Sequence, residues 1–290
     1  MRIETDRLLI TDLNNSMAKS IYEESQDEEN RRFLPDEVFD SLEDAKKRVE
    51  YLIGCYSTSI GPLVYAVISK DGTFVGHVQA VPLNGCDWEI GYHIGHRYRG
   101  QGYATEALSA FLPIIMKKLN ITEIKGVCDE NNEASKKVME KCGFVCISQT
   151  KEKKANYVYY LSPKDIVVKF FEDGYTNHNY DFIMNSVSDT YIDHSPAGAR
   201  SNRDAVGILK IVAGQFSSLT VKVLDVFVEG DMVASRVLYD GIHSGTCMGV
   251  PATGKRIIFE ALENFRIEKG KIVESWGYWP DKDIEQKLNA

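Results

Sequence analysis

Residues 97–104 read Arg-Tyr-Arg-Gly-Gln-Gly-Tyr-Ala, two arginines and two glycines directly ahead of a helical apolar period. Over residues 103–118 the apolar side chains Ala104, Leu108, Phe111, Leu112 and Ile115 recur at helix spacing. Before the turn, residues 88–94 are rich in β-branched and aromatic side chains and predict a strand. Strand, glycine turn and helix together make a device for holding an anion. The first amides of a helix have no partners inside it and stand at the positive end of its dipole. Gly100 and Gly102 let the backbone approach a phosphate that side chains would keep away. Arg97 and Arg99 add charge, and a pyrophosphate suits such a site. Gly-x-Gly taken alone also reads as a tight turn with a solvated basic face. Tyr103-Ala104 after Gly102 departs from the Gly-Lys-Ser/Thr of a phosphate loop, and Thr105 from the third glycine of a dinucleotide loop.

A second oddity lies far along the chain. Strand alternation puts Ile257, Phe259, Ala261, Glu263, Phe265 and Ile267 on one face, a lone carboxylate among apolar side chains. Burying an unpaired carboxylate is costly, so Glu263 is expected to be protonated, paired or functional.

The elements that position these residues can be read from caps, turns and periodicity. Residues 5–10 predict a first strand, and Asn15 or Ser16 caps a helix reaching about residue 28. Ser41-Leu42-Glu43-Asp44 is a capping box that opens a helix through Tyr51. Residues 63–69 and 73–81 form a hairpin about Lys70-Asp71-Gly72, and Asn84-Gly85 turns into the strand at 88–94. After the helix at 103–118, residues 121–128 predict a strand. Asn131 or Asn132 caps a short helix that Gly143 ends, and 144–149 and 156–161 are the last strands of this half.

Ser162-Pro163-Lys164-Asp165 then starts afresh, with serine as cap, proline at the first helical position and aspartate completing the box. Its helix carries Ile166, Val167, Phe170 and Phe171; a second helical segment covers 180–188. Residues 191–196 are a short strand and turn, and Ser201 or Asn202 caps a helix over 203–216. Four strands follow at 220–228, 232–243, 255–267 and 271–279, with turns at Glu229-Gly230-Asp231 and Glu268-Lys269-Gly270. Helices followed by a long antiparallel sheet are an α+β pattern. The whole chain is therefore expected to be α+β in two domains, 1–161 and 164–290.

Bulk properties narrow the functions. The net charge of −8 argues against a broad nucleic-acid or anionic-membrane footprint, while leaving room for a local basic patch. No apolar run approaches about 18 residues, so no spanning helix is expected. The opening MRIETDRLLI lacks the apolar stretch of a signal peptide. Cysteines at 55, 86, 128, 142, 146 and 247 form no Cys-x-x-Cys, and the histidines are scattered, so neither disulfide framework nor metal is expected. Reduced thiols and a cytoplasmic location follow as the expectation.

The order Arg97-x-x-Gly100-x-Gly102-Tyr103-Ala104 resembles the acetyl-CoA signature of the GNAT N-acetyltransferases, (Gln/Arg)-x-x-Gly-x-(Gly/Ala). Asn132-x-x-Ser135 followed by Glu140-Lys141-Cys142-Gly143-Phe144 is similar to their second motif. The likeness covers about residues 1–160, and Thr5-Asp6-Arg7-Leu8 resembles the branch of ribosomal-protein N-terminal alanine acetyltransferases. It implies a mixed sheet flanked by helices, acetyl-CoA as cosubstrate, and transfer of acetyl to a primary amine of a protein N-terminus or small molecule.

The same likeness implies roles for individual residues. Tyr92, His93 and Ile94 offer backbone groups to the cofactor, and Arg97, Arg99, Gly100, Gln101, Gly102, Tyr103 and Ala104 hold its phosphates. Asn132 meets the pantetheine arm and Ser135 the sulfur, unless both only cap their helix. Glu89 takes the amine proton through water, or else pairs with Arg97 or Arg99. His93 touches substrate or is a packed surface histidine. Met139 stands where many members carry the tyrosine that protonates the thiolate, which leaves that acid unassigned.

Residues 164–290 resemble the nuclear transport factor 2-like cone in its SnoaL-like polyketide-cyclase branch. The likeness rests on Tyr191-Ile192-Asp193-His194-Ser195-Pro196, Gly230-Asp231, His243-Ser244-Gly245, Gly249-Val250-Pro251-Ala252-Thr253-Gly254, Phe265-Arg266-Ile267 and Gly270-Lys271-Ile272-Val273-Glu274-Ser275-Trp276. It implies a cone-shaped antiparallel sheet around an apolar pocket with a few polar groups, and pairing of two copies through the sheet. The cyclases' acid/base aspartate would follow Trp276, where this chain has Gly277. His194, Glu263 and Asp281 are the pocket candidates, with His243 a further polar residue. Three functions stay open: an acetyltransferase whose cone binds the amine, a bifunctional enzyme whose cone isomerises or hydrolyses a small molecule, and a CoA-responsive binding module without catalysis.

Overall fold

A computed structural model describes residues 1–33, 37–58, 60–83, 87–149 and 153–290. The turn expected at Asn84-Gly85 lies outside the described residues. The chain divides into two compact units, Met1–Leu119 with Glu123–Tyr159, and Asn120–Thr122 with Tyr160–Ala290.

The first unit contains β1 (Arg2–Glu4), β2 (Leu8–Asp12), α1 (Ala18–Ser25), α2 (Glu28–Phe33), α3 (Leu42–Cys55), β3 (Leu63–Ser69), β4 (Phe74–Pro82), β5 (Trp88–Ile94), α4 (Tyr103–Leu119), β6 (Glu123–Asp129), α5 (Glu133–Lys141), β7 (Val145–Gln149) and β8 (Lys154–Tyr160). Among the described residues they form an eight-stranded sheet in the order β1-β2-β3-β4-β5-β6-β8-β7. Neighbours from β1 to β5 run antiparallel, and β6 joins β5 in parallel.

Caps decide several boundaries. Ser41 accepts from the Asp44 N–H at 3.2 Å, so α3 starts where the capping box put it. It runs to Cys55, beyond the expected Tyr51, because Ala45, Val49, Leu52 and Cys55 keep one buried stripe going. The first helical stretch differs from expectation. Asn14, not Asn15 or Ser16, is the cap; it opens a 3₁₀ turn over Asn15–Met17 and then α1. The helix expected to reach about residue 28 ends at Ser25, and a separate helix, α2, begins at Glu28. On one face of the sheet Val64 and Ala66 pack with Leu13 and Leu52. On the other, α4 buries Leu108, Phe111, Leu112 and Ile115, with Phe111 5.5 Å from the Tyr65 ring.

The second unit contains α6 (Pro163–Lys169), a π-helical turn over Phe170–Thr176, α7 (Tyr180–Ser186), β9 (Val187–Asp193), α8 (Asn202–Gln215), β10 (Phe216–Glu229), β11 (Met232–His243), β12 (Arg256–Glu268), β13 (Lys271–Tyr278) and α9 (Asp281–Asn289). The strand order is β10-β11-β12-β13-β9. β10 to β13 are antiparallel, while β9 adds to β13 in parallel. The helix expected over 180–188 stops at Ser186, and β-branched Val187 begins a strand without an intervening turn. Ser162 and Ser201 cap α6 and α8 through the N–H groups of Asp165 and Asp204. β12 buries Ile257, Phe259, Ala261, Glu263, Phe265 and Ile267, and turns Ile258 and Leu262 outward.

Candidate functional site

The glycine turn has the backbone that anion binding needs. Gly100 and Gly102 take φ of 73° and 81°, a region that favours glycine. A Cβ added at Gly100 would meet nothing within 4 Å, so the turn is open on that side. The first helical bond of α4 runs from the Glu106 N–H to the Gly102 carbonyl at 3.0 Å. The amides of Tyr103, Ala104 and Thr105 precede it and have no acceptor within the helix. Gln101 donates to the Arg97 carbonyl at 3.2 Å, which closes the turn on itself.

The opening residues hold this turn from 94 to 101 positions away. Thr5 Oγ1 donates to Glu106 Oε1 at 2.6 Å, the Arg7 backbone N–H to the same oxygen at 3.0 Å, and Arg7 Nε to Glu106 Oε2 at 2.6 Å. Arg7 also donates to the Gln101 carbonyl at 2.9 Å and lies over the Tyr103 ring. Thus Thr5 and Arg7, expected in a first strand over 5–10 and noted as part of a branch signature, lie between β1 and β2 instead and clamp the start of α4.

Arg99 corrects an expectation. Its guanidinium does not turn to the phosphate loop: it donates to Asp27 at 2.6 Å, to Glu29, and through Nε to the Ile94 carbonyl at 3.1 Å. Its charge is engaged by carboxylates of α2 and the residue before it. Arg97 stays exposed at the turn.

Beyond the turn, β5 leaves its parallel neighbour. The ladder registers Glu89 with Lys125 and Ile90 with Gly126, and both strands run on past it, to Ile94 and Asp129. Tyr92 faces α5 here. Its hydroxyl lies 2.8 Å from Ser135 Oγ and donates to the Ser135 carbonyl at 3.0 Å. Asn132 caps α5 by accepting from the Ser135 N–H at 3.0 Å. Met139 is buried, its sulfur close against Gly126. Burial pushes the phenol of Tyr92 above its ordinary range, so it is a proton-bearing group.

Glu89 stands on the opposite face of β5 from Tyr92. It is half-buried, and burial raises its pKa against the charge of Lys154. The expected alternative, a pair with Arg97 or Arg99, gives way to this: Lys154 is its electrostatic neighbour, and Arg99 is held by Asp27 and Glu29. His93 shares Glu89's face, and it is not a surface histidine. It is buried, edge-on to His77, and burial foremost drives its pKa down to about 3, so its ring is neutral. His77 lies 3.5 Å from Glu37, to which Gln79 donates at 2.9 Å. Burial would raise Glu37, but these hydrogen bonds outweigh it and hold it at about 2. A cavity of about 60 Å³ is lined in part by Glu24, Glu37, Arg48, His77, Gln79 and His93. Sequence reading missed this cluster because Glu37 is some 40 positions from His77.

A larger cavity, about 360 Å³, lies in the second unit. Glu263 reaches it from β12, directly opposite Gly277 in the ladder. A Cβ at Gly277 would stand 3.6 Å from the Glu263 carboxyl, in ordinary contact with it. Glu263 Oε1 accepts from the Tyr239 hydroxyl at 2.9 Å and from Trp279 Nε1 at 3.4 Å. Burial above all, with the charge of Asp193 added, pushes its pKa up to about 7 against those hydrogen bonds. Asp193 accepts from the Ser195 N–H at 2.8 Å, from Ser195 Oγ at 2.7 Å and from Ser275 Oγ at 3.2 Å. Asp281, at the start of α9, also lines the cavity.

His194 does not, contrary to expectation. Strand alternation turns it away from Asp193's side; it stacks on Trp276 at 4.8 Å with Nε2 3.4 Å from Glu274. His243 is fully buried and accepts through Nδ1 from the Thr253 N–H at 3.2 Å. Asp193, Tyr239 and Trp279 were not singled out. Alternation through Tyr191, Asp193 and Ser195 was the available signal for the first.

Comparison with known proteins accounts for this arrangement. The family model described as an acetyltransferase (GNAT) domain matches residues 7–145, and that of the SnoaL-like polyketide cyclase matches 165–288. The uncharacterized N-acetyltransferase YnaD of Bacillus subtilis is 32% identical over 145 residues, 49% of this chain and 82% of the relative. A GNAT-family acetyltransferase structure from Bacillus anthracis is 25% identical, covering 55% of this chain and 98% of its own, with a TM-score of 0.49. IdmH from Streptomyces antibioticus is 25% identical, covering 45% of this chain and 100% of its own, with a TM-score of 0.41. The first unit is that of an acyltransferase. The chain belongs to the GNAT family of N-acetyltransferases and carries a SnoaL-like domain in its second half. No helix among the described residues is long and apolar enough to cross a membrane.

Proposed function

We propose that residues 1–161 form an acetyl-CoA-dependent N-acetyltransferase acting on a primary amine, of a small molecule or a protein N-terminus, in the cytoplasm, and that residues 164–290 form a ligand-binding accessory domain. The observation that carries this is the row of amides at Tyr103, Ala104 and Thr105 behind two glycines of positive φ. Such a row binds a pyrophosphate, and Arg97 adds charge at its edge. Acetyl-CoA, when bound, supplies an activated acetyl thioester. On β5 the backbone groups of Tyr92 and Ile94 face the gap that opens beside β6, while those of His93 turn to β4; the Tyr92 main chain is what offers hydrogen bonds to the cofactor's arm. Asn132 spends its carbonyl on the helix cap and keeps its amide N–H groups for that arm.

Ser135 and Tyr92 form a hydroxyl pair that would stand beside the thiol of bound CoA, Ser135 the group that would give a departing thiolate its proton and Tyr92 the one that orients it. This supplies the acid that Met139 cannot. Glu89, its pKa raised by burial, takes the proton of the incoming ammonium. Outward-facing Leu262 and Tyr278, paired across the ladder and 58% and 67% exposed, fit pairing of two copies through the sheet.

Calorimetric titration with acetyl-CoA tests the reading, and a screen of amines for CoA release follows. Absence of binding at millimolar cofactor would overturn it. One observation favours a second activity: a buried carboxyl near neutrality, Glu263, at the wall of a pocket. Turnover of a small molecule that Glu263→Gln removes, with CoA binding intact, would establish it.

A further inference from the structure

The cavity of the second unit has carboxyls on its walls and no cation among its described lining residues. Asp193 and Glu263 lie deep, each 7% exposed, and Asp281 sits at the mouth. The guanidinium of Arg200 donates to the main-chain carbonyls of Asp193 and Ala199 at 2.6 and 2.8 Å and does not line the space. Apart from Ser195 and Ser275, which bond Asp193, the wall is mostly aromatic and aliphatic, with Phe170, Tyr175, Tyr191 and Trp279 and, from α8, Leu209 and Val212.

We propose that this cavity binds a small molecule carrying a protonated amine on an apolar, aromatic-sized body. Size sets the body. About 360 Å³ falls at the small end of ligand pockets, enough for a bicyclic ring and a short chain. Charge sets the head group. An anion would be buried beside Asp193 with no compensating cation, which is costly. A neutral body leaves the deep acids without an ionic partner. An ammonium answers both: it pairs with Asp193 and Glu263 and lies against ring faces that favour a cation.

The electrostatics of the walls agree. Burial first, and then Asp193's charge, raise the pKa of Glu263, and a bound cation beside the two carboxyls offsets that cost. The cavity would show this preference whether or not the first unit is active. Taken with the proposed function, on which this last step rests, it gives the accessory domain a task. It holds molecules of the acceptor's class and releases them once acetylation removes the charge.

Tryptamine, N-acetyltryptamine and indole-3-propionate share one ring system and differ in charge. Titrated calorimetrically into the full chain, tryptamine should bind about tenfold or more tightly than either other probe. Asp193→Asn should shrink that preference several-fold while leaving N-acetyltryptamine binding unchanged. Glu263→Gln, nearly isosteric, is the second variant should Asp193→Asn fold poorly. N-acetyltryptamine or indole-3-propionate binding as tightly as tryptamine would overturn the proposal. So would no tryptamine binding at millimolar concentration, or a preference that survives both substitutions. Acetyl-CoA is titrated into the same samples. Its failure to bind would count against the first unit's proposed activity and leave the charge preference standing.

Discussion

Glu263→Gln should make the second unit more stable at alkaline pH. The carboxyl sits at about 7 in the folded chain, against an ordinary 4.5 when unfolded. Between those values the folded state binds more protons than the unfolded one, so stability falls as pH rises through the window. The loss is complete above pH 7 and amounts to about 3 kcal/mol. Glutamine cannot ionise, yet its carbonyl can still accept from Tyr239 and Trp279. The variant should therefore match the wild type near pH 4 and exceed it by up to about 3 kcal/mol at pH 8, roughly 10 °C in Tm for a unit of this size. Denaturant unfolding at both pH values, read by near-ultraviolet circular dichroism, measures the difference directly. Equal stability at pH 8, or a less stable variant there, would refute the reasoning, because the carboxyl would then be ionised without cost.

The first unit yields sharper tests of chemistry. Gly102→Val forces a β-branched residue to φ near 81° and should abolish acetyl-CoA binding by calorimetry, while the second unit's unfolding transition is unchanged. Tyr92→Phe removes the hydroxyl beside Ser135 and should lower kcat by about tenfold with KM for acetyl-CoA unaltered; a raised KM at constant kcat would place the tyrosine in binding instead. Glu89→Gln should cost about a hundredfold in rate and erase the rise of activity through its raised carboxyl pKa, seen in a pH–rate profile. Leu262→Asp puts a charge on the outer face of β12 and should shift sedimentation from dimer to monomer; a wild type that sediments as a monomer would remove the dimer.

Local signals carried well from sequence to structure. Ser41 and Ser162 cap the helices that their boxes announced, Ser201 is the cap of the two candidates Ser201 and Asn202, and the strand at Trp88–Ile94 has the expected bounds. In each case the decisive contact lies within a few residues. Where the partner is distant, the reading failed. Arg99 looked like a phosphate ligand because Asp27 and Glu29, some 70 positions earlier, are invisible to a local pattern. His194 shares a motif with Asp193, yet alternation sends the two to opposite sides of β9. α9 was missed because it buries only Ile284 and Leu288, too few to mark a period. β1, three residues long, is a strand through its ladder with β2 rather than through any apolar pattern of its own.

The grip of Thr5 and Arg7 on Glu106 has a consequence for transplanting the cofactor turn. Strand, glycines and helix occupy a continuous stretch, so the segment looks portable. Its geometry is nevertheless set across about a hundred residues of chain. A segment excised from β5 to α4 and grafted onto another scaffold would keep its signature and lose the anchor on the Gln101 carbonyl. During folding the same link is a non-local closure, slow to form compared with the helix itself. Under the proposed function, acetyl-CoA affinity would gauge whether the residues between β1 and β2 have docked on α4.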